Sequence, residues 1–163
     1  RAIEQIHATP RRGRCCQRAS AGECYHESMR CKRLVPLITV EDLAASVAFF
    51  VDRLGFQTVF RSDGYVSLRH PQGDLQLAFL RPLPDEQPFR GHGLTYGLEV
   101  DDVDAEYDRI RTEGVDTDGP PRDNPWGDRS FTVVDPSGIA LHIHQVIEPA
   151  PEYASYFVPH ETR

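Results

Sequence analysis

The sequence predicts an α+β fold built from two βαβββ modules, and three observations carry that expectation. A strand–helix–three-strand pattern runs from Leu34 to Leu80 and again from Thr95 to Val146. Short stretches match between the copies, VEDL against VDDV and HPQGDLQLAFL against DPSGIALHIHQ. Between the copies lies a linker, residues 81–94, whose three prolines and two glycines break all periodicity. Neither copy can bury a full core alone. Two curved mixed sheets should therefore pair and enclose a cleft, either between modules of one chain or between subunits that pair or exchange them.

The elements follow in order. LVPLITV, Leu34 to Val40, is rich in β-branched residues and reads as a strand. Pro36 inside it points to an edge or exchanged strand, because proline donates nothing to a ladder. In EDLAASVAFFVDRLGF, Leu43, Val47, Phe50, Val51 and Leu54 recur at helical spacing, with Asp42 placed to cap the start and Gly55 to stop it. QTVF, YVSLR and LQLAFL are three short strands, and the HPQG turn separates the last two. After the linker, TYGLEV is a strand. DDVDAEYDRIRTEGV is a helix with Val103, Tyr107 and Ile110 on its apolar stripe and Gly114 at its end. RSFTVV and IALHIHQV close the pattern around DPSG, where Asp135 and Gly138 read as turn residues.

Composition divides the chain. Residues 1–33 carry eight Lys/Arg against three Glu, a net of +5, and hold all four cysteines, Cys15, Cys16, Cys24 and Cys31. Residues 34–163 carry ten basic and twenty-two acidic residues, a net of −12. The first segment reads as a poorly ordered extension, with Met29 as the expected natural start. Its cysteines and His26 contain zinc-ligand residue types, but their spacing fits no paired C-x₂-C pattern. RRGR has the composition of a nucleic-acid contact, which the acidic body opposes. Residues 34–146 read as the folded domain, with modules 34–80 and 95–146, and residues 147–163 as a tail. That tail either folds over the cleft or a partner, or stays disordered. The sequence contains neither a run of about 20 apolar residues nor a signal-peptide core, so the expectation is a cytoplasmic protein with no membrane partner.

VPLITVEDLAASVAFFVDRLGF and PWGDRSFTVVDPSGIALHI, together with the duplication, resemble the vicinal oxygen chelate superfamily. That superfamily includes glyoxalase I, extradiol dioxygenases and bleomycin resistance proteins. SVAFFVDRLGF and the PWGDR-x-F-x-V-x-D-P-x-G run look most like the bleomycin-resistance branch. The resemblance implies four positions where metal-dependent members place a ligand, and these fall at Val35, at Gln76 (Leu77 if the register slips by one), at Thr95 and at His142. Valine cannot coordinate, and neutral Gln and Thr oxygens bind transition metals weakly beside His or carboxylate. The expected cofactor is therefore none. The alternative is a divalent Zn, Ni, Mn or Fe ion held through His142 and His144, which period-2 geometry puts on one strand face.

His142 is thus a metal ligand, a cavity residue or a hydrogen-bonded histidine without a role. Trp126, on the loop before Gly127, either contacts a planar ligand or plugs the loop. Gln76 and Thr95 either bond a ligand in the cavity or satisfy one another. Phe60 stands with Phe49, Phe50 and Phe79 as core by spacing, any of which can line the cleft instead. Asp128 and Arg129 are expected to pair and hold the loop. The function expected from these residues is a homodimeric binding protein that sequesters a small, cationic, aromatic-containing molecule such as an antibiotic, with no catalytic residue. The alternative is a metal-dependent lyase, isomerase or dioxygenase in which the ion polarises substrate oxygens.

Overall fold

The computed structural model describes residues 32–157. The expectations for Met29 and the four cysteines, and for the last residues of the tail, lie outside the described residues. Chain order is β1 (Leu37–Thr39), α1 (Leu43–Ala48), β2 (Gln57–Arg61), β3 (Tyr65–Arg69), β4 (Gln76–Leu80), β5 (Thr95–Glu99), α2 (Val103–Thr112), β6 (Arg122–Asn124), β7 (Asp128–Val134) and β8 (Ala140–Val146). Two four-stranded mixed sheets result, ordered β1-β4-β3-β2 and β5-β8-β7-β6. In each, the strand before the helix runs parallel to the last strand of its module. The βαβββ duplication is therefore present in the topology as well as in the sequence.

The two helices start alike. Asp42 Oδ1 accepts from Ala45 N–H at 2.9 Å and Asp102 Oδ1 from Ala105 N–H at 3.0 Å, each satisfying a first-turn donor that has no partner within the helix. α1 then departs from the regular helix its apolar stripe predicts. Phe49–Arg53 forms a π-helical turn, and across it Phe50 still points inward while Phe49 stays half-buried. Phe50 makes edge-to-face contacts with Phe49, Phe56 and Phe79 at 5.2–5.9 Å between centroids, an arrangement favoured by the ring quadrupole.

Strand alternation places the core. Val66, Leu68, Leu77 and Phe79 on the first sheet are buried, as are Phe131, Val133, Leu141 and Ile143 on the second. With Val47, Phe50, Val103 and Ile110 from the helical segments they form one continuous cluster across both modules. That sharing is the physical reason a pair of modules this small is stable. Pro36 precedes β1, which is an edge strand as expected and pairs with β4 of its own chain. Asp135 is buried at the β7–β8 turn, its Oδ1 accepting from the Ser137 and Ile139 amides. Among the described residues, no helix is long and apolar enough to cross a membrane.

Candidate functional site

Because Leu141 and Ile143 point into the core, His142 and His144 point from the opposite face of β8. Register places His142 between Gly97 on β5 and Thr132 on β7, and His144 between Glu99 and Ser130. The imidazoles stack with centroids 5.4 Å apart and planes 26° from parallel. Gly97 leaves room for this, since a Cβ there would come within 3.4 Å of His144 Nε2.

Asp128, at the start of β7, organises the face. Its Oδ2 lies 3.1 Å from His142 Nε2. Asn124 on β6 donates through Nδ2 to Asp128 Oδ1 at 2.6 Å and to Ser130 Oγ at 2.8 Å, and Ser130 Oγ–H donates to the same carboxylate oxygen at 3.3 Å. Burial works against the charged carboxylate. Hydrogen bonds from Asn124, His142 and Trp126, with the imidazole charge, outweigh it and hold the Asp128 pKa below the usual carboxylate value. Trp126 thus helps to stabilise the Asp128 carboxylate while its own ring is half exposed. His144 Nδ1 is buried without a partner among the described residues.

The tail packs beside this loop. Ile147 N–H donates to Gly127 O at 3.0 Å and Ala150 N–H to Pro125 O at 2.9 Å, so the loop bearing Trp126 is braced from behind. A single 3₁₀ turn, Ala154–Tyr156, follows.

The corresponding face of the first sheet carries Gln76 and Phe60. Gln76 Oε1 accepts from Arg33 Nη1 at 2.8 Å and Nε2 donates to Ser67 Oγ at 3.2 Å. A register shift between Thr58 and Phe60 sets Phe60 opposite Ser67, so a residue that spacing would assign to the core is 57% exposed, its ring 5.8 Å from that of Tyr65. Thr95 is exposed on β5, level with Ala140. Gln76 and Thr95 belong to different sheets and do not satisfy one another, which corrects that alternative.

Asp128 and Arg129 do not pair either. Alternation sends them to opposite faces, and Arg129 instead holds Asp104 of α2 through two 2.8 Å hydrogen bonds and Asp123 of β6 through a third. Its partners raise the guanidinium pKa still further.

The four metal-ligand positions implied by the resemblance do not make a donor set. Leu77 faces the core. The strand register adds a detail that the sequence match leaves ambiguous. Ala78 stands opposite Leu37 as His142 stands opposite Gly97, so the position matching His142 in the first module holds Ala78 and not Gln76. Among the described residues, no three His, Cys, Asp or Glu side chains gather to hold an ion. Val35, Ala78 and Thr95 bring no nitrogen or carboxylate donor, and His142 is committed to Asp128. Asp128 was legible as polar at the head of an alternating strand, D-R-S-F-T-V-V, in which Asp128, Ser130 and Thr132 share the face turned from the core. What the sequence lacked was the register that brings it to His142.

This fold and this face together define the class. Residues 32–143 match the family described as the Glyoxalase/Bleomycin resistance protein/Dioxygenase superfamily, and the chain belongs to it. It is 25% identical over 127 residues to a bleomycin resistance protein of Geobacillus stearothermophilus, covering 70% of this chain and 96% of that protein. A glyoxalase/bleomycin resistance protein/dioxygenase from Nocardioides superposes with a TM-score of 0.64 at 25% identity, over 76% of this chain and 89% of that one. TnmS3, an antibiotic binding protein from a Streptomyces species, superposes with a TM-score of 0.61 at 26% identity, over 73% and 99% respectively.

Proposed function

We propose that this protein binds a small molecule, in the manner of an antibiotic-sequestering relative, without a metal and without breaking a bond. The observation that carries the reading is the committed state of the polar face. Asp128 is occupied by Asn124, Ser130, His142 and Trp126, which makes a preorganised hydrogen-bonding floor under an exposed indole. Such a floor with an aromatic wall recognises a planar ligand and presents no open ligand set for an ion. Relatives named for bleomycin resistance and for antibiotic binding support the same class of partner. The −12 body favours a cationic ligand by raising its local concentration.

The protein acts as a homodimer in this reading. Leu37, Phe60, Val134 and Val146 are all more than half exposed and lie on the sheet faces turned from the helices. A second copy laid on those faces removes that apolar surface from water and turns two open faces into closed clefts. Its expected location is the cytoplasm.

The test is a titration of bleomycin followed by Trp126 fluorescence, paired with elemental analysis and sedimentation. One saturating ligand per protomer, no stoichiometric metal and a dimeric mass are expected, with His142→Ala weakening the ligand. Stoichiometric Zn, Ni, Mn or Fe that disappears in His142→Ala would instead establish the metal-dependent enzyme. A monomeric mass would remove the dimer from the proposal.

A further inference from the structure

The duplication builds one notch twice. In each copy the residues entering the helix of one module face the last hairpin turn of the other. Asp101, Asp102 and Glu106 meet the turn at Gln72 and Gly73, while Glu41, Asp42 and Ser46 meet the turn at Pro136 and Ser137. The two notches differ in how their polar groups are used. In the one at α2, Glu106 is held by Arg109 at 2.8 Å and Asp74 by Arg33 at 2.9 Å.

In the notch at α1, Ser46 stands where Glu106 stands in the other copy. Its Oγ is buried, the residue is 1% exposed, and the hydroxyl has no hydrogen-bond partner among the described residues. A buried hydroxyl left unpaired is destabilising, because it has given up its water partners without replacement. The linker roofs this notch, anchored by Phe89 N–H on Thr39 O at 2.8 Å and by the contact of Gly91 with Gly138. It contributes Phe89, Arg90 and His92 to the lining. Neither Glu41 on one side nor Arg90 and His92 on the other makes an ion pair or side-chain hydrogen bond among the described residues.

The geometry points to a second binding site here, separate from the His142 face and specific for a small zwitterion with an apolar group, such as a free α-amino acid. The cavity is about 450 Å³, within the range of small-ligand sites. Uncommitted charge of both signs lines one cavity from two chain segments, which offers one group to an ammonium and another to a carboxylate. The carboxylate meets Arg90, whose planar fork suits it, and the ammonium meets Glu41. The Phe89 ring receives the apolar group. A ligand with one charge leaves the opposite wall unanswered, and that sets the selectivity.

L-phenylalanine is the probe, with 3-phenylpropionate, which lacks the ammonium, and phenethylamine, which lacks the carboxylate. Calorimetric titration of the full chain should show one site for L-phenylalanine. Each analogue should bind at least about tenfold weaker, the loss expected for one charge-assisted contact of about 1.4 kcal/mol. Arg90→Gln, an exposed change that leaves the fold alone, should weaken the amino acid about tenfold and leave bleomycin titration of the other face unchanged. The proposal is overturned if L-phenylalanine fails to saturate by about 10 mM, if the single-charge analogues bind equally well, or if Arg90→Gln leaves binding unchanged.

Discussion

Replacing Gly138 by alanine isolates the contact that pins the linker to the second module. Gly138 has φ +90, and a Cβ on it would stand 2.8 Å from Gly91 Cα and 3.4 Å from Gly91 N. Both neighbours are backbone atoms of the linker, so no side-chain rotation can relieve the overlap. Two costs add. A residue with a side chain at positive φ loses roughly 1–2 kcal/mol, and forcing an extra methyl into a closed contact costs roughly 1–3 kcal/mol. Gly93→Ala is the control, since Gly93 has φ +75 and nothing within 4 Å of its added Cβ. It carries the first cost alone. The difference between the two variants is therefore about 1–3 kcal/mol, which at a urea slope of about 2 kcal/mol/M separates their midpoints by roughly 0.5–1.5 M. Urea unfolding followed by far-ultraviolet circular dichroism reads this directly. If Gly138→Ala and Gly93→Ala lose the same stability within about 0.5 kcal/mol, the linker is not held against the turn and the roof of the α1 notch is misplaced.

Other outcomes follow from the core and the polar face. Phe79→Ala empties a fully buried position in contact with Phe50 and should cost about 3–5 kcal/mol in the same urea assay. Asp128 has a depressed folded pKa, so its stabilisation is fully present above the unfolded carboxylate value near about 4 and is lost as pH falls through the lower folded value. Asp128→Asn should therefore be less stable at neutral pH and should lose stability less steeply between about pH 5 and pH 2 than the parent. An acid limb that is identical in both proteins would show that the hydrogen bonds to Asp128 are not formed. Phe60→Asp and Val134→Asp place charge at apolar side chains that are exposed on the sheet faces of one chain. Each should convert a dimer to a monomer in sedimentation without changing the circular dichroism of the protomer. Retention of a dimer in both variants would locate the contact elsewhere.

Period and repetition made the module plan readable. Val47 and Phe50 recur at helical spacing, and Leu141 and Ile143 alternate with His142 and His144. These local patterns set which face is buried before any partner is known. The cap Asp42 and the turn at Asp135 to Gly138 are equally local, and each makes the hydrogen bonds its position in the chain predicts. Departures arise where an insertion changes phase. The bulge before Phe60 adds a residue to a period, whereas the π-helical turn after Ala48 leaves Phe50 and Leu54 buried as their spacing predicts. Side chains beyond the bulge then turn in a direction that counting from the sequence cannot give.

The candidate site divides along the same line. That His142 and His144 share a face, that Val35 cannot hold an ion, and that the body is acidic all follow from the chain itself, because strand geometry and side-chain chemistry are properties of single residues and their near neighbours. That His142 bonds Asp128, that Arg129 turns away from Asp128 to reach Asp104, that Ala78 takes the place matching His142, and that the linker roofs one notch but not the other were decided only by the folded structure. Each depends on strand register or on the packing of one module against the other. These are set by the burial of one shared core, a sum over residues far apart in sequence, which no local pattern records.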